Sequence, residues 1–167
     1  PGHPSSLAFL ADYYDKHGQY DELVALYEEA LKSRPRGEAE HAILLQIGMV
    51  HWRMRNDLEA AEEYFQRLRK ANPTHAGMLQ FYRELTANRE EPMKMLQVLN
   101  EAQRATRDVN ERLEFFREIA QVAEQQAGNQ TKAIDAWKQV LRLNPTNEDA
   151  RNGLRKLYGE AEQWNAL

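Results

Sequence analysis

The spacing of the prolines constrains this chain more than any other feature. Pro1, Pro35, Pro73 and Pro145 stand 34, 38 and 72 residues apart, the last interval being two steps of 36. Three of them carry similar tails: Pro1-Gly2-His3, Pro73-Thr74-His75 and Pro145-Thr146-Asn147. A chain that returns to one signal at intervals in the mid-thirties is built from copies of one supersecondary unit. Each copy is too small to bury its apolar face alone, so the copies must stack.

Between the prolines, apolar residues recur at i, i+3, i+4 and i+7, which places them on one stripe of a helix. Glycine is low at 8 residues and proline at 6, and long stretches lack both. Ala, Leu, Glu, Gln, Lys and Arg dominate, and all are strong helix formers. With 42% hydrophobic and 29% charged residues, the chain is too apolar for disorder. The whole chain is expected to be α.

The units can be read residue by residue. Leu7, Leu10, Ala11 and Tyr14 follow a W-x2-L-G-x2-Y spacing, with Leu for Trp and Ala for Gly. Gly18 marks a turn, and Leu23, Tyr27, Ala30 and Pro35 follow the A-x3-F-x2-A…P pattern, with Leu in the first slot. The second unit has Leu44, Ile47, Gly48 and His51, then Ala61, Phe65, Leu68 and Pro73. The third is degenerate, with Met78, Phe81, Tyr82 and Leu85 answered by Met95, Leu99 and Ala102, and no closing proline. The fourth has Phe116, Ile119, Ala120 and Ala123, Gly128 at the turn, then Ala133, Trp137, Val140 and Pro145. Leu154, Tyr158 and Trp164 begin a fifth.

Four and a half units in phase resemble the tetratricopeptide-repeat family over nearly the whole chain. The resemblance implies an all-α, right-handed solenoid of antiparallel helix pairs. It would form a single domain with repeats near 4–37, 38–74, 75–108 and 109–146 and a partial one at 147–167. Units two to four carry one residue more than the first, which is expected in the turn between their helices. The linkers at 33–40 and 105–111 are also longer than the family minimum. Asp57 and Asn129 are expected to cap second helices, and Pro92 to start one.

Several function classes are disfavoured. A net charge of −4 without a basic tail argues against nucleic acid, which needs a basic face. Cysteine is absent, which excludes disulfides and thiolate chemistry. No apolar run approaches the roughly 18 residues of a membrane span. The five histidines, His3, His17, His41, His51 and His75, form no metal-binding spacing, and His51 reads as a structural imidazole. The paired carboxylates Glu28-Glu29, Glu62-Glu63 and Glu90-Glu91 lie about 100° apart on a helix and share no site. No phosphate loop or nucleophile elbow is present. The expectation is a protein that is not an enzyme and needs no cofactor or metal. The Asn129-Gln130-Thr131 sequon carries no weight without evidence of secretion.

The resemblance further implies that first helices of successive pairs line a concave groove that takes a peptide or protein partner. Helical phase then places Asp12 and Asp15 on that groove in the first unit. It adds Leu45, Met49, Trp52 and Arg53 in the second, Leu79 and Arg83 in the third, and Arg117, Gln121 and Glu124 in the fourth. For Trp52 two readings stand: an anchor in a pocket flanked by arginines, or core packing if the longer turn shifts the phase. Ala8 and Asp12 occupy places where relatives with a chaperone-type carboxylate clamp have Lys and Asn, so that clamp is expected to be absent.

The expected function is a protein–protein interaction scaffold, the alternative a self-associating spacer within a larger protein. The opening Pro1-Gly2-His3 and the half unit after Pro145 suggest a piece of a longer array. Leu157 and Tyr158 would then lie uncovered, with fraying after Gly159 and end-to-end association. The third pair, without its proline, is expected to be the weakest, with amide exchange fastest, among the internal helices, over residues 80–107.

Overall fold

A computed structural model describes the backbone of residues 4–165 and the side chains of residues 6–160. The readings that fall on Pro1, Gly2 and His3 and on the side chains of Trp164 and Leu167 lie outside the described residues. Among those described, nine α-helices follow one another without a strand: α1 (Pro4–Lys16), α2 (Tyr20–Lys32), α3 (Glu38–Met49), α4 (Leu58–Ala71), α5 (Ala76–Asn88), α6 (Pro92–Ala105), α7 (Val109–Gln125), α8 (Gln130–Leu143) and α9 (Glu148–Asn165). The fold is an all-α helical-repeat solenoid. Its helices divide into two compact units, the boundary falling after Met78 in the first turn of α5.

Each pair turns over in the same way. Gly18, Asn56, Glu90 and Gly128 have φ of 66°, 52°, 53° and 57°, and each stands two residues before a second helix. This left-handed residue ends the first helix and aims the chain back. The second helix is then capped where the sequence allows. Asp57 accepts from Ala60 N at 3.0 Å, and Asn129 from Lys132 N at 3.1 Å. Pro92 opens α6, where a missing N–H is no loss.

The units close by a second recurring device. In Asn72-Pro73-Thr74 the Asn72 side chain accepts from Thr74 N and from Thr74 Oγ1, at 3.3 and 3.1 Å. Asn144-Pro145-Thr146 repeats this at 3.2 and 2.9 Å. Such a turn is local to the side chain and so recurs with the tripeptide. The third unit lacks that proline. Its linker is held instead by Asp108, which accepts from Asn110 N and Glu111 N, and by the Arg112 guanidinium, which donates to the carbonyls of Gln103 and Thr106.

In the second unit the extra residue does not sit in the turn, as expected from sequence. It is absorbed at the end of α3 as a π turn over Val50–Met54, where Arg55 N donates to Val50 O at 3.1 Å. An i→i+5 turn holds one more residue than an α turn, so the side chains after it lag in phase. In the fourth unit the extra residue is taken up after α7, where Asn129 N reaches back to Ala123 O at 2.8 Å.

In the unit up to Met78, a core of Ala11, Leu23, Val24, Ile47 and Val50 joins α1, α2, α3 and the π turn, flanked by Tyr14, Tyr27, Leu31 and Tyr64. Gly48 lets α4 approach: a Cβ there would lie 2.8 Å from Phe65 Cε2. In the unit from Leu79, Phe81, Tyr82, Val98, Leu99, Ala120, Ala123 and Val140 are fully or almost fully buried. Gly153 lies against Trp137, whose Nε1 would be 2.6 Å from an added Cβ. Leu157, expected to be uncovered, is 0% exposed, whereas Tyr158 is 43% exposed. The helix also continues past Gly159, where fraying is expected, to Asn165.

Candidate functional site

The residues placed on the first-helix face behave differently in the two units. Up to Met78, Asp12 and Asp15 are exposed, and Asp12 pairs with Lys16 at 2.7 Å within its own helix. Leu45 is half-buried beside Gly77, and Met49 is half-buried. Trp52 departs from the groove expectation. It is 8% exposed and meets Phe65 edge to face, ring centroids 5.9 Å apart. The π turn is the physical reason: the lag it introduces swings position 52 inward onto α4. Arg53 stays exposed, its guanidinium 3.5 Å over the Trp52 ring, so what the surface sees here is a cation seated on an aromatic face.

His51, in the same turn, is 7% exposed and stacks on Tyr64 at 5.6 Å. Burial, with help from Arg55, pushes its pKa below 6.5. The Tyr64 hydroxyl donates to Glu28 at 2.5 Å, and burial first, then this bond, pushes it up to about 12. These groups tie α2 to α4, so the imidazole is a packing element.

From Leu79 onward the picture is one of cross-links between successive first helices. Leu79 itself is 3% exposed, core rather than open surface. Arg83 on α5 grips Glu118 on α7 with both ends of its fork, Nε to Oε1 at 2.6 Å and Nη2 to Oε2 at 2.7 Å. That bond raises the Arg83 pKa. Arg117 on α7 reaches Asp149 on α9 at 2.6 Å and touches Glu114 on its own helix at 3.2 Å. Glu124 on α7 pairs with Lys156 on α9. Three of the expected site residues, Arg83, Arg117 and Glu124, are therefore struts between repeats. Gln121 is exposed.

Arg83 and Glu118 line the wall of a cavity of about 270 Å³, with the exposed Gln121 and Gln125 at its rim and the buried Met95 and Val122 at its floor. Gln125 and Gln126, at and just past the end of α7, went unnoticed in the sequence. No spacing signals them, because their importance comes from where the helix stops. Among the described residues no group of three or more side chains is placed to hold a metal ion. Nor is any described helix long and apolar enough to cross a membrane.

Comparison with known proteins supports the repeat reading. Two family models, both described as Tetratricopeptide repeat, match residues 6–39 and residues 42–75. These matches, with the solved structures below, support a tetratricopeptide-repeat protein. Among solved structures it is similar to a tetratricopeptide repeat protein from Parabacteroides merdae, with 18% identity over 95% of this chain and 61% of that one and a TM-score of 0.58. It thus spans about three-fifths of that protein's length. It is also similar to MamA, with 18% identity over 93% of this chain and 80% of that one and a TM-score of 0.53. A MamA double mutant from RS-1 gives 13% identity over 95% and 84% and a TM-score of 0.54. At such identities the likeness is one of fold. No curated protein matches the chain. Tetratricopeptide repeats support a general role as a protein–protein interaction scaffold, a fold that is typically not catalytic.

Proposed function

We propose that this tetratricopeptide-repeat domain, a single one over residues 1–167, holds an extended segment of a partner protein along its first-helix face. It does so by shape and hot-spot contacts, without a cofactor and without catalysis. The carrying observation is the surface formed by α5, α7 and α9. The ion pairs Arg83–Glu118, Arg117–Asp149 and Glu124–Lys156 cross from each first helix to the next, and a cavity opens among them. A surface braced in this way is preorganised, which lowers the ordering cost of binding. The net charge of −4 offers no general attraction for nucleic acid.

The test is capture of partners followed by mass spectrometry, with the wild type and two variants. One carries Asp15→Lys with Arg53→Glu. The other carries Arg117→Glu with Asp149→Arg, which keeps the ion pair and reverses its direction. A partner held by the wild type and reduced at least about tenfold by either variant, a loss of about 1.4 kcal/mol, supports the proposal. Capture indifferent to both variants overturns it.

A second reading, a self-associating spacer, draws on α1. Phe9 is 70% exposed, Leu10 38% and Tyr13 45%, all on one helix. Apolar surface of this kind favours association. Sedimentation at several concentrations separates the readings, since self-assembly follows mass action.

A further inference from the structure

We infer that the cavity between α5, α6 and α7 is a subsite for an uncharged aliphatic side chain of an extended peptide, whose backbone is held by the carboxamides of Gln121 and Gln125. The inference rests on the scaffold reading above and specifies what one stretch of the partner must look like.

Size is the first argument. A volume of about 270 Å³ falls just under the roughly 300 Å³ at which pockets for drug-sized ligands and cofactors begin. It suits one or two residues of a peptide. The floor is the second. Met95 and Val122 are 2% and 6% exposed, so they offer an apolar base already held in place by the fold. An aliphatic group seated there loses its own hydration at little further cost to the protein.

The third argument is charge. The Arg83 and Glu118 groups at the wall are bonded to each other twice over, so neither is left over to fix a charged ligand. α5 ends at Asn88 and α7 at Gln125, and Thr86, Ala87, Gln125 and Gln126 all line the cavity. Two helix C-termini therefore face it, and the negative ends of their dipoles disfavour a carboxylate or phosphate.

The fourth is the rim. The Gln121 and Gln125 side chains are exposed and enter no hydrogen bond among the described residues, whereas Thr86, also at the lining, spends its hydroxyl on Tyr82 O at 2.7 Å. A carboxamide donates and accepts at once. It is matched to a peptide group, which presents one N–H and one C=O per residue. Two free carboxamides four positions apart on α7 stand one above the other on the same helix face. An apolar floor beneath such a rim fits a peptide with its backbone at the rim and one side chain pointing in.

The full chain is titrated with three capped tripeptides, acetyl-Ala-Leu-Ala-amide and its Asp and Lys counterparts, while the side-chain NH₂ resonances of Gln121 and Gln125 are followed by NMR. The Leu peptide is expected to move these signals at concentrations at least about tenfold below the other two, because a charge placed over an apolar floor loses hydration without compensation. Ala87→Phe, which projects a ring into the cavity, is expected to abolish the response. The double change Gln121→Ala with Gln125→Ala, read on the Met95 methyl signal, is expected to weaken it at least about fivefold, as loss of hydrogen bonds to the ligand would. Equal or better binding of the Asp or Lys peptide overturns the subsite, as does a Leu response that survives both variants. If the Leu peptide leaves the amides unmoved while partner capture still depends on the Arg117–Asp149 reversal, only the subsite falls. If capture also becomes indifferent, the scaffold reading falls with it.

Discussion

Glu90 carries a backbone conformation that its side chain does not favour. Its φ is 53°, in the left-handed region where a residue with a Cβ costs roughly 1–2 kcal/mol and glycine almost nothing. The equivalent places hold Gly18, Asn56 and Gly128, residues suited to that region. Glu90→Gly is therefore expected to stabilise the chain by about 0.5–1 kcal/mol after glycine's own entropy in the unfolded state is subtracted, read as a higher denaturant midpoint. Gly48 and Gly159 make an opposed pair. Gly48→Ala drives a Cβ to 2.8 Å from the buried Phe65 ring and is expected to cost about 1–3 kcal/mol. Gly159→Ala meets nothing within 4 Å and is expected to gain up to about 1 kcal/mol of helix propensity. His51 and His75 add a pH term. Both have pKa values pushed below 6.5, first by burial, so the unfolded chain binds more protons than the folded one as pH falls. Their stabilising share is present above about 6.5 and is lost on acidification through that value towards the folded pKa. The melting temperature should fall from pH 7 to pH 5, and less so in His51→Gln. A slope unchanged by that substitution would remove His51 from the account.

At the level of the helix, the π turn over Val50–Met54 explains both what could be read in advance and what could not. Helix pairs, turn glycines and caps were legible because each rests on a local rule. Gly18, Asp57 and Asn129 act within a few residues of themselves, and Leu44, Ile47 and Gly48 declare a face by period. The extra residue of the second unit was legible as a count, but where it would lodge was not. A turn of five residues and a longer loop satisfy the same spacing, and only packing of Trp52 on Phe65 selects between them. The cross-repeat pairs escaped for a related reason. The period aligns Arg83 with Glu118 and Arg117 with Asp149 to within a turn, yet whether two long side chains meet depends on rotamers that no spacing encodes. Trp52 provides the measurement at this scale. As a buried ring it should cost about 3–5 kcal/mol when cut to Ala, seen as a large drop in melting temperature, with partner binding per folded molecule unchanged. A variant that melts like the wild type and binds less well would return Trp52 to the groove.

Across the whole chain, stability in stacked repeats is close to a sum of unit terms and neighbour terms, so burial, pair by pair, says where the chain opens first. From sequence the third pair is the weak point, for want of its closing proline. Its side chains argue otherwise. Phe81, Tyr82, Val98, Leu99 and Ala102 are 0% exposed, and Asp108 and Arg112 bond the linker that the proline would have stiffened. The first pair is the poorly covered one. Among the described side chains of α1 only Ala11 is buried, while Leu10 and Tyr13 stand 38% and 45% exposed. The matching positions of the second and fourth units, Ile47 with Val50 and Ile119 with Val122, are no more than 6% exposed. Local opening draws on segments with few buried apolar contacts. Amide exchange should therefore be fastest, among the helices, in α1 and α2, and at least about tenfold slower over residues 80–107, a gap of about 1.4 kcal/mol in opening free energy. Leu10→Asp should widen nothing elsewhere, since it removes cover that α1 already lacks. Native-state exchange read by mass spectrometry resolves the two segments directly. Exchange fastest over 80–107 would show that the missing proline, rather than the uncovered face of α1, sets where the array first comes apart.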